Sequence, residues 1–155
     1  MNRKIITCLL VLLPIICNGA SVPPQCEQKI SSFITLLNSG AFKEAAIFLW
    51  SGKKWSSPDD TEKMTDTLKS FTEDEIGKYL GYENIYNDSI SKDCITIVTM
   101  LKYERQPIFM RFVFYRPSQT FLIGKVDINT DVDEVRKKWL IINENIITEK
   151  PSLIP

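Results

Sequence analysis

"PIFMRFVFYRPSQTFLIGKVDI", residues 107–128, holds two apolar stretches on either side of a Pro-Ser-Gln turn. Side chains alternate between the two faces of a strand, and a one-residue slip in pairing exchanges the faces. In the first stretch Ile108, Met110, Phe112 and Phe114 form one wholly apolar row, opposite Phe109, Arg111, Val113 and Tyr115. In the second, Leu122, Gly124, Val126 and Ile128 lie opposite Phe121, Ile123, Lys125 and Asp127. A three-residue turn at 117–119 brings the two uncharged rows onto one face; a two-residue turn would mix them. A tight turn at 104–105 then sets Ile95, Ile97, Thr99 and Leu101 beside the same face. The period of two begins at Tyr82, so strands are expected near 82–90, 94–103, 107–116 and 120–128.

Upstream the period changes to that of a helix. Ile30, Phe33, Ile34 and Leu37 fall on one helical face, "NSG" (38–40) stops it, and Phe42, Ala45, Ala46 and Leu49 repeat the spacing. "SSPDD" (56–60) starts a third helix, with Ser57 as cap, Pro58 in the first turn, and Asp59 and Asp60 at the positive end. Met64, Leu68 and Phe71 supply its buried face. "TEDE" (72–75) reads as a capping box of Thr72 with Glu75, opening a short helix that carries Ile76, Tyr79 and Leu80. A last short helix is expected over 130–140, capped by Thr130 or Asp131. The fold class is therefore α+β, with N-terminal helices packed on a curved, antiparallel, four-stranded sheet.

The first twenty residues read as an address. Arg3 and Lys4 precede an apolar run over 5–16, and Gly19, Ala20 and Ser21 follow. This is the layout of a secretory signal peptide cut near Ala20, and the run is short for a membrane span. Lipidation at Cys17 is disfavoured by the bulky Ile16 before it. The expected organisation is a signal peptide over 1–20, one domain over 21–140 and a tail over 141–155, exported to a periplasm or secreted, with no stable membrane anchor after cleavage. Cleavage leaves Cys26 and Cys94. In an oxidising compartment these are expected to form a disulfide worth up to about 4 kcal/mol, the alternative being two buried free thiols.

Composition narrows the chemistry. Without residues 1–20, which hold two bases and no acid, seventeen bases face nineteen acids, a net charge of −2. No basic footprint for nucleic acid is present. The chain has no histidine, which removes Ser-His-Asp hydrolysis, HExxH chemistry and His-based zinc sites. "DINTDVDE" (127–134) has the alternating oxygens of a calcium loop in Asp127, Asn129, Asp131 and Asp133, but Val132 replaces the turn glycine and Lys138 the bidentate glutamate. A strand end followed by a capped helix explains the same residues, and no metal or cofactor is expected. "NDS" (87–89) fits a glycosylation sequon.

In "LLNSGAFKEAAIFL" (36–49), Gly40, Phe42, Ala45 and Ala46 stand as in the opening helices of the NTF2-like (cystatin-like) superfamily, and "FLIGKVDI" (121–128) resembles the final strand of its small exported members. The resemblance spans roughly 27–128. It implies a cone-shaped roll with a pocket between helices and sheet, where Phe33, Leu37, Trp50, Trp55, Phe112 and Phe114 would be the lining. It also implies pairing through the outer sheet face. That face is unusually apolar for one turned to water, and Met100, Phe109, Arg111, Val113, Tyr115, Phe121 and Ile123 are the expected contacts. Coverage by the chain's own segment 130–150, with Trp139 and Leu140, is the competing explanation. The fold hosts enzymes and binding proteins alike, so it fixes no activity.

Members that catalyse isomerisation use a carboxylate inside the cone. The core-facing strand rows here contain no acid or base, and Tyr79, Tyr82, Tyr86 and Tyr103 are read as packing. Arg111 and Asp127 face outward and are read as a rim ion pair. The expected function is an exported, non-catalytic domain that forms a homodimer or docks on a protein partner, and takes a small apolar ligand in its cone. The alternatives are a pocket enzyme of the isomerase or hydrolase kind, or a subunit of an envelope or secretion assembly.

Overall fold

The computed structural model describes residues 22–51, 57–71 and 73–140. The expected signal peptide, the tail over 141–155, Trp55 and the Thr72 cap lie outside these residues. Helices α1 (Pro24–Asn38), α2 (Phe42–Trp50), α3 (Pro58–Lys69) and α4 (Glu73–Ile76) precede strands β1 (Tyr79–Ser91), β2 (Cys94–Tyr103), β3 (Ile108–Tyr115) and β4 (Leu122–Asn129); α5 (Val132–Lys138) follows. The strands form one antiparallel sheet in the order β1-β2-β3-β4. The fold is α+β, with an open sheet. No helix of the described residues is long and apolar enough to cross a membrane.

Local chemistry sets the helix ends. Ser57 and Asp60 form a reciprocal capping box, in which the Ser57 hydroxyl accepts from the Asp60 amide at 3.1 Å and the Asp60 carboxylate accepts from the Ser57 amide at 3.0 Å. Asp131 caps α5 by accepting from the amides of Asp133 and Glu134 at 2.9 and 3.1 Å. At α4 the sequence expectation needs correction. Gly77 has φ +81, which ends the helix at Ile76, so Tyr79 and Leu80 open β1 instead. A Cβ at Gly77 would stand 2.7 Å from Cβ of Glu104, so this position is closed to any side chain.

The main core lies between α1, α2 and the inner sheet face. Phe33, Phe112 and Phe114 are fully buried, with Phe33 edge-on to Phe112 at 6.0 Å and Phe112 stacked on Phe114 at 6.1 Å. Ile97 pairs with Phe112 and Leu101 with Ile108, which places Ile95, Ile97, Thr99 and Leu101 beside the β3 row as expected.

The β3–β4 register follows the expected rows only in part. Met110 opposes Ile128 and Phe112 opposes Val126, but the ladder shifts between Val113 and Phe114, and Phe114 opposes Ile123. Gly124 is the extra residue of this bulge, and a Cβ there would meet the Val113 carbonyl at 3.3 Å. The bulge exchanges the faces of the first half of β4. Ile123 turns into the main core at 3% exposure, and Phe121 joins it at 3% under the Arg116 guanidinium. Both were expected on the outer face. The exchange turns Phe121 and Ile123 inward and Leu122 outward, a net gain of one large apolar side chain for the core, worth roughly 1.5–3 kcal/mol on burial.

Candidate functional site

The floor of the cleft is built where α1 ends. Gly40, at φ +76, makes the turn from α1 to α2 and leaves Leu37 and Phe42 on one side. Across from them Tyr79 and Tyr103 are directly opposed partners on β1 and β2, their rings 5.5 Å apart and inclined at 64°. Phe71, just beyond α3, contributes a further ring. Together these residues line a cleft of about 340 Å³, within the range of small-molecule sites. Asn38, Glu73 and Lys78 supply its polar atoms.

The strand ends beside the cleft are tied together. The Glu104 amide donates to the Lys78 carbonyl at 3.1 Å, and the Lys78 amide donates to the Glu104 carboxylate at 3.1 Å. The Arg105 amide donates to the Ile76 carbonyl, and its guanidinium donates to the Asp74 carbonyl. Burial pushes the Tyr103 phenol up to about 12, with the neighbouring Tyr79 adding to it. Burial also raises Tyr79, against a hydrogen bond with Asn38 that lowers it. Both rings are therefore neutral phenols at ordinary pH.

Among the described residues of the expected pocket lining, the structure brings only Leu37 to this cleft. Phe33, Phe112 and Phe114 fill the space between helices and sheet instead of lining it, because their rings pack on one another with no exposed surface. Trp50 is half-buried against the main core.

A second constellation lies where α1 crosses the edge strand. Glu27 projects from α1 toward the sheet and accepts hydrogen bonds on both carboxylate oxygens, from the Tyr82 hydroxyl at 2.8 Å and the Asn84 amide at 2.6 Å. Behind them the fully buried Thr99 donates to the Asn84 side-chain oxygen at 2.7 Å. The strand rows alone hide this acid. The available signal was helical: Glu27 stands three and seven residues before Ile30 and Ile34, on the buried stripe of α1. Burial, and then the adjacent Glu27, raise the Tyr82 phenol. With both oxygens engaged, the carboxylate clamps α1 to β1.

On the outer sheet face, Val135 and Trp139 cover Val98 and Phe109, with Met100, Tyr86 and Leu140 packed around them. The chain's own α5 thus occupies much of the expected interface. Arg111 lies 5.1 Å beneath the Trp139 ring and donates twice to Asp127, at 3.0 and 2.7 Å, while Lys125 reaches Asp127 at 3.0 Å. Burial would raise the Asp127 carboxyl, but these hydrogen bonds and charges outweigh it and hold it below the usual range. Val113 remains half-exposed and Tyr115 is 52% exposed.

The expected disulfide is absent. Cys26 and Cys94 are both free thiols. Cys26 belongs to the inner core, whereas Cys94 shares the outer row of β2 with Thr96, Val98 and Met100 and opposes Tyr115. The two thiols thus stand on different rows, one in the core behind the sheet and one at the first residue of β2. Burial pushes the Cys26 thiol up to about 11.

Comparison with protein-family models, with curated proteins and with solved structures finds no match. The functional reading therefore rests on this chain's own residues.

Proposed function

We propose that this chain is an exported, non-catalytic binding domain of the NTF2-like kind, which takes a small molecule in the cleft between α1, α4 and the Tyr79–Tyr103 pair. The observation that carries this reading is the cleft itself: four aromatic side chains, Phe42, Phe71, Tyr79 and Tyr103, border about 340 Å³ beside a core that is otherwise filled. Binding sites are characteristically apolar hollows with a few convergent polar groups, here Asn38, Glu73 and Lys78. Among the described residues, the acid that α1 turns toward the sheet, Glu27, is held on both oxygens by Tyr82 and Asn84, which favours a clamp over a catalytic base. Export rests on the pattern of residues 1–20.

The test is a fragment titration followed by NMR. Small aromatic and alicyclic compounds are expected to shift the ring signals of Tyr79 and Tyr103 and the methyls of Leu37, and the Phe71→Arg variant is expected to abolish those shifts. A broad fragment set that leaves all three residues unmoved would refute the reading.

A further inference from the structure

Resting on that reading, we infer that the ligand of the cleft is an organic cation, a substituted ammonium group of choline size. Phe42, Phe71, Tyr79 and Tyr103 bring four π systems to one small hollow. The faces of such rings are electron-rich, and a weakly hydrated cation gains by displacing water there. The two phenols stay neutral, since burial raises both, so neither hydroxyl needs a charge partner of its own. The 64° inclination of Tyr79 to Tyr103 gives two walls of a corner rather than one flat stacking platform.

The charges at the mouth agree. Glu73 lines the cleft, and its carboxylate makes no ion pair or hydrogen bond among the described residues. Asp74 and Glu75 follow it on α4, and the Glu104 carboxylate lies beside them, accepting from the Lys78 amide. The facing bases are Lys78 and Arg105. Arg105 is turned onto the Asp74 and Glu75 carbonyls. Lys78 is exposed, and a compact ammonium of that kind is strongly hydrated, which makes it a poor occupant of an aromatic hollow. An anionic guest is repelled by both Glu73 and the ring faces, and a neutral guest gains the apolar contact with the rings but neither electrostatic contribution.

The experiment compares choline with its uncharged isostere 3,3-dimethylbutan-1-ol, titrated separately into the isotopically labelled protein. Affinities are read from the Tyr79, Tyr103 and Leu37 signals. Choline is expected to bind about tenfold more tightly, the size of a cation–π gain in a partly desolvated site. Glu73→Gln, at an exposed position that leaves the fold intact, is expected to narrow that ratio several-fold. Equal affinities, or a preference for the alcohol, would overturn the cation inference while leaving the binding reading in place. Absence of shifts with both probes would overturn the cation inference and count against the cleft as a site.

Discussion

Removing the Glu27 carboxylate is expected to loosen α1 from the edge strand by an amount the geometry lets one work out. Glu27→Ala deletes two acceptors, the partners of Tyr82 at 2.8 Å and Asn84 at 2.6 Å. Hydrogen bonds to a charged group contribute about 1.5–3 kcal/mol each, and part-exposure reduces that toward the lower figure. A loss of about 2–3 kcal/mol follows, or some 6–10 °C in Tm for a domain of this size. Glu27→Gln keeps one acceptor for Asn84 and lets the Tyr82 hydroxyl rotate to accept, so it is expected to cost only about 1 kcal/mol. Asn84→Ala should cost more than Tyr82→Phe, because it also strips the acceptor from the fully buried Thr99 hydroxyl. A double-mutant cycle over Glu27 and Asn84, read by urea denaturation, should give a coupling of about 1–2 kcal/mol. Additive single and double variants, within about 0.3 kcal/mol, would refute the clamp.

Trp139→Ala is expected to detach α5, at a cost of about 3 kcal/mol, and to speed hydrogen exchange at Val135 and Trp139 amides while β2 and β3 keep theirs. Unchanged α5 protection would refute the covering role. Iodoacetamide followed by peptide mapping should label Cys94 quickly and Cys26 only after unfolding, whereas a linked Cys26–Cys94 peptide would contradict the free thiols. Cys26 is raised from 9.0 to about 11 and Tyr103 from 10.0 to about 12, so the folded state holds their protons more tightly than the unfolded chain. That stability is full below about pH 9 and is lost as pH rises through 11 and 12, and a Tm under reducing conditions that stays flat from pH 8 to 11 would contradict it. Gly77→Ala places a Cβ 2.7 Å from Glu104 at φ +81, and should cost at least about 1–2 kcal/mol; a Tm within a degree of the parent would show that the turn relaxes.

The elements were legible because their signals are local. A helical stripe such as Ile30, Phe33, Ile34 and Leu37, or a cap such as Ser57 before Pro58, is dictated by neighbours within a turn. The alternation in β2 and β3 fixed their faces for the same reason, and the ladder agrees residue by residue. The place of Arg111 in an apolar strand was legible too. It faces outward and meets Asp127, as the alternation of both strands requires.

What the sequence could not decide was wherever distant segments compete for the same space. The Gly124 bulge is invisible to strict alternation, because only the contact with Phe114 makes it worthwhile to turn Ile123 and Phe121 inward. The cysteine count suggested a bridge, but counting carries no information about which side of a sheet each sulfur occupies. The cleft was expected among Phe33, Phe112 and Phe114, and those rings instead close on one another, since their mutual burial gains more than an open cone would. Tyr79 and Tyr103 are twenty-four residues apart in the chain and become wall partners only through the β1–β2 pairing. Periodicity therefore determined most of the elements and the faces of β2 and β3, which local backbone geometry fixes. Register at the bulge, the fate of the thiols and the position of the cleft were left to the tertiary structure, because each depends on side chains brought together by folding.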